Sequence, residues 1–326
     1  MNEKKYIGHE SQLYGVEEHR LVGGKGDGMR LLQVKNGKGL EFTVSADRCA
    51  DISRLSFRGI NMGYFSPCGY VAPAYYDGVG DGFLKSFSCG FLTTCGLTAV
   101  GTPCEDEGEV LPLHGTIANI PAEHAYWEQD EEEIRIHARM IDERIFAHKL
   151  LLERTISCPL SDNKLVIRDT ITNRGDTECP AMILYHLNMG YPLLSEKAIL
   201  KIPSIKVTPR NERAAEGIDS WDKMLKPMAC FEEQCYYHKF EKEGKAVLFN
   251  PEIGQGVEIS FDADNLKYFT EWKMMGERDY VLGLEPGNCT PDGRDKLRAS
   301  GELTILQPGE SVTYEVSIRM LTELSK

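Results

Sequence analysis

The chain has 326 residues, of which 41% are hydrophobic, and its 50 acidic and 37 basic residues give a formal net charge of −13 at pH 7. An acidic chain is not expected to bind duplex nucleic acid or an anionic membrane, because both attract basic protein surfaces. The N-terminus "MNEKKYIGHE" lacks the apolar segment of a secretory signal, and no run approaches 18 consecutive apolar residues. We therefore predict a cytoplasmic protein without a transmembrane helix.

The predicted elements are short β-strands, because apolar and polar residues alternate and turn residues separate the runs. In chain order the clearest runs are "LEFTVSA" (40–46), "EEIRIHARMI" (132–141), "KLVIRDTITNRG" (164–175), and a C-terminal hairpin of "ELTIL" and "VTYEVSIRM" within 302–320. Helical periodicity is scarce, and the best candidates are "GFLTTCG" (90–96) and "CFEEQCYYHKF" (230–240). This pattern predicts an all-β protein, a large antiparallel β-sandwich with few short helices. Because no stretch resembles a linker, we expect a single domain over residues 1–326 with its core at about 40–320.

Residues 66–104 depart from the alternating pattern and are rich in glycine, aromatic residues and cysteine. A long stretch without regular strands is usually functional in a compact domain. Its tyrosines, Tyr70, Tyr75 and Tyr76, are compatible with two interpretations. In the first, they line a sugar pocket. In the second, they cover an open sheet face or form a subunit contact, and a subunit contact would imply a homodimer.

The ten cysteines contain no CxxC spacing, and Cys230, Cys235 and His238 lack a matching fourth ligand. Disulfides are rare in a reducing compartment. We therefore expect buried free thiols, no metal and no cofactor.

Two strand-like runs carry polar residues where apolar ones are expected. In "MILYHLNMG" (182–190), His186 and Asn188 continue the face of Met182 and Leu184. In "YVLGLEPGN" (280–288), Glu285 shares a face with Gly283, and a glycine within a strand leaves room for a ligand. A satisfied core histidine and a buried ion pair are the structural alternatives for these two positions.

His114 lies in "LPLHGTIANIPA" (111–122), where Gly115 permits close backbone approach. The motifs GxxxxGK[ST], GxSxG and HExxH are missing, and "GGKGDG" (23–28) does not open a helix of a βαβ unit. What remains is one carboxylate and two histidines, the side chains needed for general acid–base chemistry without a cofactor.

These motifs resemble a known superfamily. "LHG" (113–115), "YHLNMG" (185–190) and "GLEPGN" (283–288) occur in the order and rough spacing of the aldose 1-epimerase (galactose mutarotase-like) superfamily. "TCGLTAVG" (94–101) with the segment around His114 resembles its aldose-1-epimerase-like branch, and the resemblance covers about residues 40–320.

The resemblance implies a large antiparallel supersandwich that binds a monosaccharide (aldose) in an open cleft. His186 would be the general acid that protonates the ring oxygen O5, and Glu285 the general base that removes the proton from O1. The ring would open to the aldehyde, rotate about C1–C2 and close as the other anomer. His114 would help to bind or polarise the sugar, and Asn188 would also contact it.

The chain departs from the family pattern at one position. Family members carry an arginine shortly before the His-Gly motif, whereas this chain has no arginine between residues 59 and 134. We expect Arg48 or Lys273 to replace it, and Trp272 to stack on the sugar or pack in the core.

Two other functions stay open at this stage, and a third lacks its motif. A sugar-phosphate epimerase would need two or more basic residues in the cleft, and a carbohydrate sensor of the same fold would need no turnover. A cupin-type metal enzyme would need an HxH pair, and the sequence has none.

Overall fold

A computed structural model describes residues 5–324 of the chain. The strands, in chain order, are β1 Gly15–Arg20, β2 Arg30–Lys35, β3 Leu40–Ser45, β4 Asp51–Phe57, β5 Ile60–Asn61, β6 Tyr64–Phe65, β7 Cys89–Gly90, β8 Leu92–Leu97, β9 Cys104–Asp106, β10 Glu109–Leu111, β11 His124–Gln129, β12 Glu133–Glu143, β13 Lys149–Pro159, β14 Lys164–Asn173, β15 Cys179–Pro180, β16 Met182–Met189, β17 Ile199–Lys201, β18 Lys206–Pro209, β19 Gln234–Lys239, β20 Glu243–Asn250, β21 Gln255–Asp262, β22 Tyr268–Met275, β23 Tyr280–Gly287, β24 Ile305–Leu306 and β25 Ser311–Leu321. The α-helices are α1 Glu212–Ala215 and α2 Arg294–Ser300, and short 3-10 helices span Glu10–Gln12, Gly24–Gly26, Pro73–Tyr75, Gly82–Lys85, Ile117–Asn119 and Ile218–Ser220.

The described residues form three large antiparallel sheets and three two-stranded ones. The first has the order β1-β2-β3-β4-β5, the second β11-β12-β13-β14-β25-β21-β20-β17, and the third β18-β19-β22-β23-β16-β8. One apolar core takes buried side chains from all three, for example Phe42, Ile167 and Leu284. The predicted all-β sandwich is confirmed, and within residues 5–324 no helix is long and apolar enough to cross a membrane.

The two predicted short helices are wrong. Residues 92–97 form β8 and residues 234–239 form β19, both in the third sheet. All six residues of β8 are buried, and in β19 both faces carry buried side chains such as Cys235 and Tyr236. Because both faces of these strands are covered, the polar-apolar alternation that marks a half-buried strand is missing from the sequence.

A buried arginine links the three sheets. Arg154 on β13 donates from Nε and Nη2 to the two carboxylate oxygens of Asp169 on β14, at 2.8 and 2.6 Å. Its Nη1 lies 2.7 Å from Asp51 Oδ1 on β4, and its Nη2 donates to Thr94 Oγ1 on β8 at 2.7 Å. Asp51 in turn accepts the backbone N–H of Thr94 at 2.8 Å. A single guanidinium therefore fixes the first and third sheets against the second.

The substitution Arg154→Leu is expected to lower the free energy of unfolding by about 3–5 kcal/mol, because it leaves buried carboxylates without a cation. The control is Arg168→Leu, since Arg168 is exposed and lies 3.8 Å from Glu315. It should change stability by no more than about 1 kcal/mol. Urea unfolding measures both, and equal small losses for the two variants would contradict the role of Arg154.

Candidate active site

The third sheet places one polar residue from each of several adjacent strands in a row. Thr93 on β8 pairs with His186 on β16, and Glu285 on β23 pairs with Thr270 on β22. Leu184 pairs with Gly287 and Leu187 with Leu284, so the register of β16 and β23 places His186 opposite Glu285. Thr270 also pairs with Tyr237 on β19. Directly paired residues point to the same face of an antiparallel sheet, so this row forms a polar floor.

His186 and Glu285 are in contact. His186 Nε2 lies 3.2 Å from Glu285 Oε1, and the two residues are only 4% and 2% exposed. A Cβ at Gly283 would lie 2.2 Å from Glu285 Oε1. The space that the sequence predicted above Gly283 is therefore occupied by the carboxylate of Glu285 itself.

Asn188 holds the other side of the imidazole. Its Oδ1 lies 2.7 Å from His186 Nδ1, and its Nδ2 donates to the backbone oxygen of His186 at 2.8 Å. Asn188 has no exposed surface and is not part of the cavity lining. The structure thus places it behind His186, where it contacts the imidazole and not the cavity.

Burial determines the charge of the pair. It raises the pKa of Glu285 well above its usual value, with a further rise from Glu233 and an opposing effect of Arg210. Burial lowers the pKa of His186 to about 4, against the effect of its hydrogen bond to Asn188. Because removal from water disfavours both charged forms, burial favours the uncharged form of each side chain.

A cavity of about 240 Å³ opens above this floor. Its lining residues are Leu84, Phe87, Gly101, Thr102, Leu113, His114, His186, Arg210, Glu233, Cys235, Thr270, Trp272, Glu285 and Pro291. Two buried polar atoms of this lining, His114 Nδ1 and Thr270 Oγ1, have no hydrogen-bond partner among the described residues, and the one polar neighbour given for Glu285 Oε1 is His186 Nε2 at 3.2 Å. Unpaired buried polar atoms are rare in native proteins, and two in one cavity indicate a site for a polar ligand.

Two other concave regions are larger, at about 430 and 420 Å³. They lie around Arg54 on the first sheet and around Trp221 beside the second. Neither contains the contacting histidine and glutamate, so the smaller cavity is the candidate active site.

His114 reaches the cavity through a strained turn. Its φ is +58° and that of Gly115 is +73°, both in the left-handed region. A Cβ at Gly115 would lie 2.2 Å from the backbone oxygen of Gly96 on β8, so only glycine fits. The His114 ring lies 5.6 Å from that of His186, and burial lowers its pKa to about 3, with smaller effects of His186 and Arg210.

The structure brings four of the predicted site residues together: His114, His186, Trp272 and Glu285. The Trp272 ring meets the edge of His186 at 5.2 Å, and Phe87 meets it at the same distance. Trp272 therefore lies at the cavity, as the stacking interpretation expects, and is not enclosed in the core.

Arg48 and Lys273 lie elsewhere. The guanidinium of Arg48 donates to the backbone oxygens of Ala118, Val71 and Ser86. Lys273 follows Trp272 on β22 and so points to the opposite face, where Nζ donates to the backbone oxygens of residues 220 and 221 at 3.1 and 3.2 Å. Neither residue lines the cavity, because each uses its charge to satisfy buried carbonyls.

The arginine of the cavity is Arg210, which the sequence analysis missed. Its Nε donates to Asp292 Oδ1 at 3.1 Å, and its Nη2 donates to Thr102 Oγ1 at 2.9 Å and to the backbone oxygen of Pro291 at 3.1 Å. Arg210 follows β18 in a segment without a motif, so nothing in the sequence marks it.

Two further cavity residues were also missed. Glu233 accepts the indole N–H of Trp272 at 2.6 Å, and Thr270 stands beside Glu285. Thr270 was detectable in principle, because it shares a strand face with Trp272 in "YFTEWKMM".

The predicted sugar-pocket tyrosines are not in the lining. Tyr70 hydrogen-bonds Ser53 at 3.0 Å, Tyr76 donates to the backbone oxygen of Gly115 at 3.1 Å, and Tyr75 is exposed. Their segment instead contributes Leu84 and Phe87 to the cavity.

Comparison with known families assigns the chain. Residues 26–320 match the family model described as a domain of unknown function, DUF4432. The chain belongs to the DUF4432 family. A comparison of this DUF4432 chain with curated protein sequences gives no significant match.

Solved structures show the wider relationship. A "putative aldose 1-epimerase" from Klebsiella pneumoniae is 27% identical and has a TM-score of 0.89, with 96% of this chain and 86% of that chain covered. A galactose mutarotase-like protein from Clostridium acetobutylicum has a TM-score of 0.70 at 12% identity, with 95% and 99% covered. A galactose mutarotase-like protein from Lactobacillus casei has a TM-score of 0.60 at 14% identity, with 89% and 99% covered. The DUF4432 chain thus has the fold of the aldose 1-epimerase superfamily.

The substitution Gly283→Ala is expected to displace the carboxylate of Glu285, because the added methyl would occupy its position. A crystal structure of the variant should show a separation of His186 and Glu285 longer than 3.2 Å in an otherwise unchanged sheet. The control is Gly276→Ala, where the nearest atom to the methyl would be the flexible tip of Met274 and the contacts with Asp279 would be at ordinary distances. An unchanged separation in Gly283→Ala would contradict this account of Gly283.

Proposed function

We propose that the protein is an isomerase of the aldose 1-epimerase (mutarotase) type, which opens and closes the ring of a monosaccharide without a cofactor. The observation that carries the proposal is the contact of His186 and Glu285 on the floor of a cavity with unpaired polar atoms. A fold shared with a 27% identical structure described as a "putative aldose 1-epimerase" supports it.

The chemistry needs one proton donor and one proton acceptor. Protonation of O5 lets the C1–O5 bond break, while removal of the O1 proton lets the C1=O1 double bond form. After rotation about C1–C2, closure on the other face reverses both transfers. With a single proton between them, His186 and Glu285 would supply both functions in one site.

The remaining lining fits a sugar. Trp272 and Phe87 offer apolar ring surfaces, and His114, Thr270 and Arg210 offer polar atoms at the same cavity. Sugars combine hydroxyl groups with apolar C–H faces, so both kinds of surface are used.

Charge favours an unphosphorylated substrate. Arg210 is the one lysine or arginine in the described cavity lining, and its guanidinium already pairs with Asp292. Glu233 adds a carboxylate to the same lining. A phosphate would be repelled by these carboxylates and would find no free basic residue, so we favour a neutral aldose over a sugar phosphate.

The cytoplasmic location and the homodimer stay predictions from the sequence.

The substitution Glu285→Gln is expected to lower kcat by at least about 10²-fold, because it removes an acid–base group and keeps the side-chain shape. His186→Asn should act similarly. Polarimetry of freshly dissolved sugars measures turnover, and calorimetry checks that the sugar still binds. The control Glu315→Gln changes an exposed residue of β25. An active Glu285→Gln protein would exclude this mechanism, and sugar binding without turnover in the wild type would indicate a sensor.

The pH dependence follows from the pair. Only the form with one proton is competent, so kcat/KM should fall below about pH 4, where His186 also binds a proton. It should fall again at high pH, above the raised pKa of Glu285. An acid limb near 6.5, the value of a free histidine, would show that burial does not control His186. Circular dichroism at each pH checks that the protein stays folded.

A further inference from the structure

The orientation of the Asn188 amide is determined by its two hydrogen bonds. The backbone oxygen of His186 can only accept, so the atom 2.8 Å from it is the amide nitrogen. The amide oxygen must then face His186 Nδ1 at 2.7 Å. Because an amide oxygen also only accepts, Nδ1 must carry a proton and donate it.

This arrangement determines what faces Glu285. A neutral imidazole with its proton on Nδ1 presents a lone pair at Nε2. Nε2 lies 3.2 Å from Glu285 Oε1, and Oε1 has no other partner among the described residues. A proton between these two atoms satisfies both of them.

We propose that Asn188 is a positioning residue that keeps His186 in the Nδ1–H form, so that in the free protein Glu285 carries the shared proton and Nε2 of His186 is the base. This assignment deepens the proposed function, and its catalytic consequence rests on that function. It reverses the starting roles that the family resemblance implies, with His186 as acid and Glu285 as base.

The surroundings of the pair support the neutral form. The titratable groups that face it are His114, Cys89 on β7, Cys95 on β8, Arg210 after β18, Glu233 just before β19 and Cys235 on β19. Burial keeps the pKa of His114 low and those of Cys89 and Cys95 high, so these groups are uncharged near neutral pH. Arg210 is paired with Asp292, and Glu233 raises the pKa of Glu285. No free cation in the described cavity lining therefore stabilises an ionised Glu285.

This protonation state determines which residue gives a proton and which takes one when the ring opens. The carboxyl of Glu285 gives its proton to O5 as the C1–O5 bond breaks, and His186 Nε2 takes the O1 proton as C1=O1 forms. The pair becomes imidazolium and carboxylate in contact. On ring closure, the imidazolium gives its proton to O1 and the carboxylate takes the proton from O5. The 3.2 Å contact also permits direct transfer of a proton from Nε2 to Oε1.

The test is nitrogen NMR of histidine-labelled protein without any sugar, with the His186 signals assigned by difference from His186→Asn. We expect a neutral ring with the proton on Nδ1 from about pH 5 to 8. An imidazolium at pH 7, or a neutral ring with the proton on Nε2, would overturn the proposal. The result does not depend on turnover, so it stands apart from a failure of the proposed function.

The matched variant is Asn188→Asp, which puts a negative charge at the Nδ1 contact and should raise the pKa of His186 by roughly 1–3. The acid limb of kcat/KM should move to higher pH with it, a change that a purely structural role of Asn188 would not produce. Asn163→Asp, in the turn between β13 and β14, is the control and should leave His186 neutral. An Asn188→Asp protein in which the pKa of His186 is unchanged would refute the positioning role, and if this variant does not fold, the wild-type spectrum decides.

Discussion

The buried guanidinium of Arg154 is the constraint on which the arrangement of the sheets depends. It binds carboxylates from β4 and β14 and the hydroxyl of Thr94 on β8. A buried ion pair adds little net stability, but it cannot be broken without leaving a charge unpaired, so it selects one packing of the sheets. Strand β8 connects this network to the site, because Thr93, the residue next to Thr94, pairs with His186.

The Arg154 network and the cavity differ in how their buried polar groups are paired. Toward the core, Arg154 and its carboxylates are mutually satisfied. Toward the cavity, Thr270 and His114 each keep an unpaired buried atom. The first arrangement fixes structure, and the second leaves free energy to be gained when a polar ligand binds. This contrast, together with the shift of His186 and Glu285 toward neutral forms, is the reason why the cavity is the candidate active site.

The sequence predicted those features of the fold and the site that leave a period-two pattern or a short motif. Alternation predicted the sandwich, and motif order predicted that His186, Glu285 and His114 share a site. It failed at β8 and β19, where burial of both faces removes the alternation. The sequence did not identify Arg210, because this residue reaches the cavity only through strand pairing across the third sheet. It predicted Arg48 and Lys273 instead, and the directions of these two side chains depend on the fold. That the chain is one domain stays a prediction.

The most direct test of the central claim is saturation-transfer NMR of wild-type protein with a panel of aldoses and their 6-phosphates. The account predicts that exchange between the two anomers of at least one unphosphorylated aldose is faster with protein than in buffer alone. No acceleration for any sugar of the panel would contradict the claim that the His186–Glu285 cavity opens a sugar ring, and acceleration for phosphates alone would contradict the substrate class.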